Sequence, residues 1–264
     1  MRILILTRDD PVSTPVYLSR VIMERGKGIV AVIAVDTAPT GFSYLWKRLK
    51  VRGFRASVLK WTQIKLCQLM NAVRHVSLSA LTTDYEIPLI HVKSIKTRRF
   101  IQMVRDMKPD IILSVTCPKL IGRELLDIPP LGGINYHCSI LPKGRGRDPA
   151  FWSLYQGHKW TAVTIHYMDE EMDNGDIILQ NYIPIRTTDT VESLYKRIAV
   201  VSAGAITSAL DDIEAGTDKR LSNDKNKATY FDVPTREDIV ELNRRGRSFI
   251  DLADCLAIIR RKQA

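Results

Sequence analysis

MRILILTRDDPVSTPVYLSRVIMERGKGIVAVIAV, residues 1–35, sets the architecture of the chain. Met1–Thr7 is an unbroken apolar run, the pattern of a strand buried on both faces. After a Pro/Ser/Thr start, Val12–Arg25 carries apolar residues at helical spacing, and Gly28–Val35 is a second buried strand. A β-α-β opening of this kind predicts a mostly parallel sheet with helices on both faces. The intervening loop, TRDDPVSTP, contains no glycine and therefore is not a dinucleotide fingerprint.

The same alternation continues outward. Ile87–His91 reads as a short strand and Ile95–Lys108 as a helix stopped by Pro109. Asp110–Val115, DIILSV, is another buried strand, and TCPKLIGRELLDIPP after it gives a turn and a short helix. Then comes LGGINYHCSILPKGRGR, residues 131–147. Gly133–His137 is read as a strand that breaks into a turn at Ser139–Pro142. Its two-residue period puts Asn135 and His137 on one face and Ile134, Tyr136 and Cys138 on the other. A strand end that opens into a Pro/Gly loop is where open α/β sheets place ligands. Taken alone, Asn-x-His is better read as a pair of hydrogen-bonded structural residues.

A second stretch adds to it: TAVTIHYMDEEMDNGDIILQNYIPI, residues 161–185. Two strands, Ala162–Met168 and Asp176–Pro184, flank an acidic loop whose Asp173-Asn174-Gly175 tip signals a hairpin. His166 lies on the first strand, and Asp173 falls where the chain turns back. Ala150–Tyr155 starts a helix, and Thr190–Glu214 is a long amphipathic helix that Gly216 should cap. Its stripe of Val191, Leu194, Tyr195, Ile198, Val201, Ala205, Ile206 and Leu210 is core.

The combination N-x-H-x-S-x-L-P-x-x-x-G followed by H-x-x-D-x-x-x-D-x-G-D-I resembles the folate-dependent formyltransferases. That family includes glycinamide ribonucleotide transformylase, methionyl-tRNA formyltransferase and the sugar-nucleotide formyltransferases. The resemblance is strong over Asp110–Gln180, weaker over Met1–Val35 and Thr190–Gly216, and absent from Gly41–Ser79. It implies an α/β, Rossmann-like three-layer domain with 10-formyltetrahydrofolate as co-substrate. It implies Asn135, His137 and Asp173 as catalytic residues, and a pterin-wrapping loop of Thr116, Cys117, Lys119, Leu120 and Ile121, with Asp173 beside it. His166 matches a second family histidine, Arg145 an arginine near the acceptor, and Ser139 lies within the motif; these three are assigned to the substrate side. Arg145 reads equally as a loop brace, and Asp176 reads as a turn brace. The loop after the first strand lacks the Gly/Ser/Asn-rich phosphate cradle of the purine enzyme, which argues against a purine substrate.

The chemistry follows from the residues as well. Transfer of a formyl group from a folate nitrogen to an amine passes through a tetrahedral oxyanion. Asn135 can donate an amide N–H to that oxygen. His137 can donate and relay a proton. Asp173 can orient the imidazole and accept the amine's proton. Other classes compete with this chemistry. A serine hydrolase of Ser139, His137 and Asp173 needs a sharp nucleophile elbow that S-I-L-P does not form. A metal hydrolase could draw on His137, His166 and Asp173. A silent folate-binding homologue would not need the intact trio.

The chain has 264 residues, 45% of them hydrophobic, and a net charge of +10. That length fits one catalytic domain over residues 1–220, with a basic helical insertion at about 41–82, and a linker and short helical tail over 221–264. Between Thr37 and Thr83 there is no Asp or Glu, but there are eight Lys or Arg: Lys47, Arg48, Lys50, Arg52, Arg55, Lys60, Lys65 and Arg74. Phe42, Tyr44, Leu45, Trp46, Phe54 and Trp61 are interleaved with them. Three readings compete: a solvated helical excursion, a surface for nucleic acid or a phosphorylated substrate, and an interfacial membrane helix. Cys67, Cys117, Cys138 and Cys255 show no C-x-x-C spacing and read as reduced thiols. No apolar run reaches the ~18 residues of a membrane span, and a cytoplasmic setting is expected. The acceptor is expected to be a small amine, an amino sugar on a nucleotide foremost. The expectation rests on the missing purine-phosphate loop and on the lack of room for a tRNA-gripping barrel. Phe249, Ile250, Leu252, Leu256, Ile258 and Ile259 of the tail offer apolar positions for a homodimer.

Overall fold

The computed structural model describes residues 1–36, 49, 51–74 and 77–259. Its centre is a seven-stranded sheet of order β3-β2-β1-β4-β5-β7-β8. The strands are β1 (Ile3–Thr7), β2 (Ile29–Val35), β3 (Leu89–Val92), β4 (Ile111–Val115), β5 (Gly133–His137), β7 (Trp160–Tyr167) and β8 (Ile177–Pro184). A short parallel pair, β6 (Arg145–Gly146) with β9 (Tyr230–Phe231), stands apart from it. The first five sheet strands run parallel, whereas β7 is antiparallel to both β5 and β8. From β1 the chain moves outward to β2 and β3, then returns to β4 on the other side. The boundary between β1 and β4 is therefore a topological switch point, and the crevice at their carboxyl ends is open to ligands.

The helices are α1 (Thr14–Arg25), α2 (Phe54–Arg74), α3 (Leu78–Asp84), α4 (Arg98–Met107), α5 (Arg123–Leu126), α6 (Pro149–Tyr155), α7 (Val191–Ala215), α8 (Arg236–Arg244) and α9 (Leu252–Ile259). Alternation along the strands builds two cores. Ile3, Ile5, Ile111, Leu113, Ile134 and Tyr136 pack on α1 and α7, and Leu4, Leu6, Ile33 and Ile112 pack on Phe100, Ile101 and Val104 of α4. Thr190 starts α7 with a capping box to Ser193, and Gly216 ends it in the left-handed conformation. The sequence boundaries of β5 coincide with those observed, and α7 departs by a residue.

The described part of the insertion is helical: α2 packs Leu59 and Leu66 against the main core and Cys67 against Val12. Its buried face holds a polar network in which Lys60 and Gln63 meet Glu192 of α7, at 2.8 and 3.0 Å. Phe42, Tyr44, Leu45, Trp46, Lys47, Arg48 and Lys50 lie outside the described residues. The tail departs from its expected pairing role at two positions. Phe249 and Ile250 are buried in the chain's own core, beside Ile239, Leu242 and Cys255. Two apolar side chains are thus covered by their own fold, and Leu252 and Leu256 are exposed; the side chains of Ile258 and Ile259 lie outside the described ones. Among the described residues, no helix is long and apolar enough to cross a membrane.

Candidate active site

Register brings the site together. Asn135 of β5 lies directly opposite His166 of β7, so both side chains leave the same face of the sheet. His137 follows two residues on, at the carboxyl end of β5. Asp173 reaches them from the β7–β8 turn, where its backbone is left-handed, with φ of 53°. Its Oδ1 sits 3.4 Å from His137 Nδ1, 3.7 Å from His166 Nε2 and 3.3 Å from Asn135 Nδ2. Its Oδ2 accepts the Gly146 N–H at 2.8 Å. The trio expected from the sequence thus converges, and His166 joins it.

Carbonyl oxygens only accept, and this settles the ring protons. His166 Nδ1 is 2.7 Å from the Tyr167 carbonyl and carries a proton there, which leaves Nε2 to accept from Asn135 Nδ2 at 3.1 Å. His137 Nε2 donates to the Gly144 carbonyl at 2.9 Å, so Nδ1 is the nitrogen that faces Asp173. Both amide hydrogens of Asn135 are engaged, and the contact to Asp173 is the longer. Burial pushes the Asp173 carboxyl up, but the His137 imidazole and the Gly146 N–H outweigh it and hold the group well below the usual carboxylate range. An ionised, hydrogen-bonded carboxylate beside an imidazole is a proton acceptor held in place.

The turn that carries Asp173 is clamped from outside the two motifs. Asn223 Nδ2 donates to the Asp173 and Gly175 carbonyls at 2.9 and 3.0 Å, and Asn223 Oδ1 accepts from Arg145 Nη2 at 2.9 Å. Gly175 must be glycine because a Cβ would stand 2.1 Å from the Tyr167 carbonyl oxygen, and Gly146 because a Cβ would stand 2.1 Å from that of Phe231. The β6–β9 pair, the Gly144 N–H donated to Thr229 Oγ1, and Trp152 stacked on Phe231 at 4.9 Å hold the 229–231 segment against the central loop.

Three positions expected on the substrate side make contacts within the fold. Ser139 Oγ donates to the Lys143 and Gly144 carbonyls. Arg145 is buried, with Nη1 on Asn174 Oδ1 and Nη2 on Asn223, which is the bracing role its sequence context allowed. His166 orients Asn135. The same contacts weaken the serine-hydrolase alternative, because the Ser139 hydroxyl donates to carbonyls and not to the His137 imidazole. Among the described residues, no three His, Cys, Asp or Glu side chains gather as a metal set.

The loop after β4 suits a polar heterocycle. Thr116 is left-handed, with φ of 56°, and its buried Oγ1 has no partner. The N–H groups of Cys117, Lys119, Leu120 and Ile121 bond no acceptor among the described residues, while Pro118 has none to offer. Ile121 is buried in the core, so only its backbone can face a ligand; Leu120 is exposed. Across the switch point, Arg8 at the end of β1 has a buried Nε without a partner. The sequence reading passed over Arg8 and Asn223. Arg8 follows an apolar strand and could have been flagged as a charge at a strand's carboxyl end, whereas Asn223 stands in a polar stretch with no local signal.

The chain matches the formyl transferase family model over residues 62–210. It belongs to that family. It is 30% identical over 235 residues to methionyl-tRNA formyltransferase of Bacillus subtilis, covering 89% of this chain and 65% of that protein. It is 34% identical over 157 residues to that of Desulforamulus reducens, covering 60% and 50%. The chain spans about half the length of the curated relatives it matches. Among solved structures, the N-formyltransferase of Helicobacter canadensis in complex with folinic acid and dTDP-3-aminofucose superposes with a TM-score of 0.62. That pair shares 16% identity, with 95% of this chain and 81% of the other covered. Its likeness shows the fold.

Proposed function

We propose that the protein transfers a formyl group from 10-formyltetrahydrofolate to a primary amine. The observation that carries this reading is the convergence of Asn135, His137 and Asp173 at the end of β5, with Asp173 Oδ1 3.4 Å from His137 Nδ1. The pterin would lie against the unpaired amides of Cys117, Lys119, Leu120 and Ile121, with the Thr116 hydroxyl beside it and the formyl group toward Asn135. The amine nitrogen attacks the formyl carbon, and the folate C–N bond breaks. Asn135 exchanges its long contact to Asp173 for the developing oxyanion. Asp173 takes the proton released by the amine, and His137 Nδ1 gives a proton to the departing folate nitrogen and recovers one from Asp173 across the 3.4 Å contact. Charge is conserved, and each side chain ends as it began.

For the acceptor we propose an amino sugar on a nucleotide. The unpaired Arg8 guanidinium nitrogen at the switch point and the net charge of +10 support an acceptor that bears phosphate. A second reading, methionyl-tRNA, is supported by the names of the curated relatives. A cytoplasmic setting belongs to the same proposal. The test is calorimetric binding of 5-formyltetrahydrofolate, followed by a screen for tetrahydrofolate release with nucleotide-linked amino sugars and with methionyl-tRNA. Saturable binding and release with one acceptor class supports the proposal and names the class. Absence of folate binding in the folded protein overturns it.

A further inference from the structure

Helix α2 runs for 21 residues with one face packed on the core and the other exposed. On the outward face, Phe54, Val58, Trp61, Lys65 and Leu69 recur at spacings of four, three, four and four. Four of the five are apolar, with exposures from 43% at Val58 to 77% at Phe54. Solvated helix faces carry polar residues, so this face is inverted relative to expectation. The neighbouring α9 continues the pattern, presenting Leu252, Ala253, Leu256 and Ala257 to solvent. The two helices are in contact, with Cys255 Sγ against the Leu59 carbonyl.

We propose that this α2–α9 face docks on an anionic membrane surface. Charge selects the occupant. Arg55 and Lys65 are exposed and have no acidic partner among the described residues. In sequence, Lys47, Arg48 and Lys50 precede α2, and Arg260, Arg261 and Lys262 follow α9. The nearby acidic groups are already taken. Glu192 is held by Lys60 and Gln63, Asp254 by Thr190 and Lys196, and Asp251 by the Asp254 N–H. A second copy of the chain would bring the same positive charges face to face. A nucleic acid would meet the cations but leave Val58, Leu69, Leu252 and Leu256 without a stacking partner. A bilayer interface takes both, with aromatic and aliphatic side chains at the acyl boundary and Lys and Arg among anionic headgroups. On its buried side α2 also touches the loop after β1, where Asn71 donates to the Pro11 carbonyl at 2.7 Å.

The test is co-sedimentation of the full chain with vesicles of phosphatidylcholine mixed with phosphatidylglycerol, and of phosphatidylcholine alone. Binding to the mixed vesicles only, weakened by salt, is expected. Arg55→Gln and Lys65→Gln should each lower partitioning roughly fivefold, and Trp61→Ser with Leu69→Ser by about tenfold or more. Trp160→Ser, at an exposed position on β7, should bind as the native chain does. All these side chains are exposed, so folding is checked by an unchanged melting transition. Failure to bind mixed vesicles overturns the proposal, as does equal binding by the Trp61/Leu69 variant. It is equally overturned by a vesicle-free dimer, or by binding to homopolymeric RNA without vesicle binding, where that variant abolishes either one.

Discussion

The imidazole of His137 and the carboxylate of Asp173 are held by bonds that would outlast a change in either partner. His137 is fixed by Gly144, and Asp173 by the Gly146 N–H and the Asn223 clamp on its carbonyl. His137→Ala and Asp173→Asn should therefore lower kcat by about a hundredfold or more, while calorimetric affinity for 5-formyltetrahydrofolate changes only a few-fold. Near-native turnover in both variants would remove the pair from the mechanism. Asp173 also couples stability to pH. Its folded-state pKa lies below the unfolded value of about 4. Ionised Asp173 thus stabilises the fold above that pH, and the contribution is lost as pH falls below it toward the folded value. Urea titrations should show the stability gap between the native chain and Asp173→Asn widest near neutrality and closing on acidification. A gap that opens in acid would contradict the assigned contacts. At this scale the trio was legible because it sits in two local motifs, one on a strand with period two and one at an Asp-Asn-Gly turn. The hydrogen bonds of Ser139 were not, because they go to carbonyls that only the folded loop brings near; for Arg145 the bracing reading was open, but its partner Asn223 was not.

The turn that carries Asp173 is an element of borrowed rigidity. A loop between β7 and β8 that carries a left-handed aspartate needs partners, and Asn223 supplies them from 50 residues downstream. Asn223→Ala deletes both donor bonds and one acceptor of a buried guanidinium, for a loss of roughly 2–3 kcal/mol. Because the Asp173 carboxylate would drift, kcat should fall by about tenfold beyond any effect on folate affinity. Thermal melts with steady-state kinetics would separate the two effects, and a destabilised variant with native kcat would show that the turn holds itself. Gly146→Ala attacks the same clamp from the other side. Its Cβ would meet the Phe231 carbonyl oxygen, and φ of 101° suits no side chain, so a loss of about 2 kcal/mol or more is expected. Strands and helices were legible from apolar period. The β6–β9 pair was not, since two-residue strands have no period and their pairing is set by the Gly144–Thr229 and Trp152–Phe231 contacts.

For the whole molecule, the sheet order and the two cores follow from the β-α-β opening, because a right-handed crossover leaves few places for β4 and β5. The tail is where pattern and packing part. Phe249 and Ile250 look like spare apolar residues in an arginine-rich segment, yet they complete the core over α6 and α7, with Phe249 6.5 Å from Phe151 and under the Arg52 guanidinium at 4.0 Å. Thr190, the cap of α7, also donates to Asp254 at 2.8 Å, which ties the start of the longest helix to the last described one. If residues 235–259 fold as one unit with the sheet, Phe249→Ala should lower global stability by about 3 kcal/mol, the cost of an aromatic-sized cavity. Urea unfolding should then stay a single transition, read identically by far-UV circular dichroism and by tryptophan fluorescence. A separate tail would behave differently. The substitution would release it alone, as an early, small-amplitude transition that leaves the main midpoint where it was. Coincident, equally shifted transitions place the tail inside the cooperative unit of the sheet; a split places the boundary near residue 220.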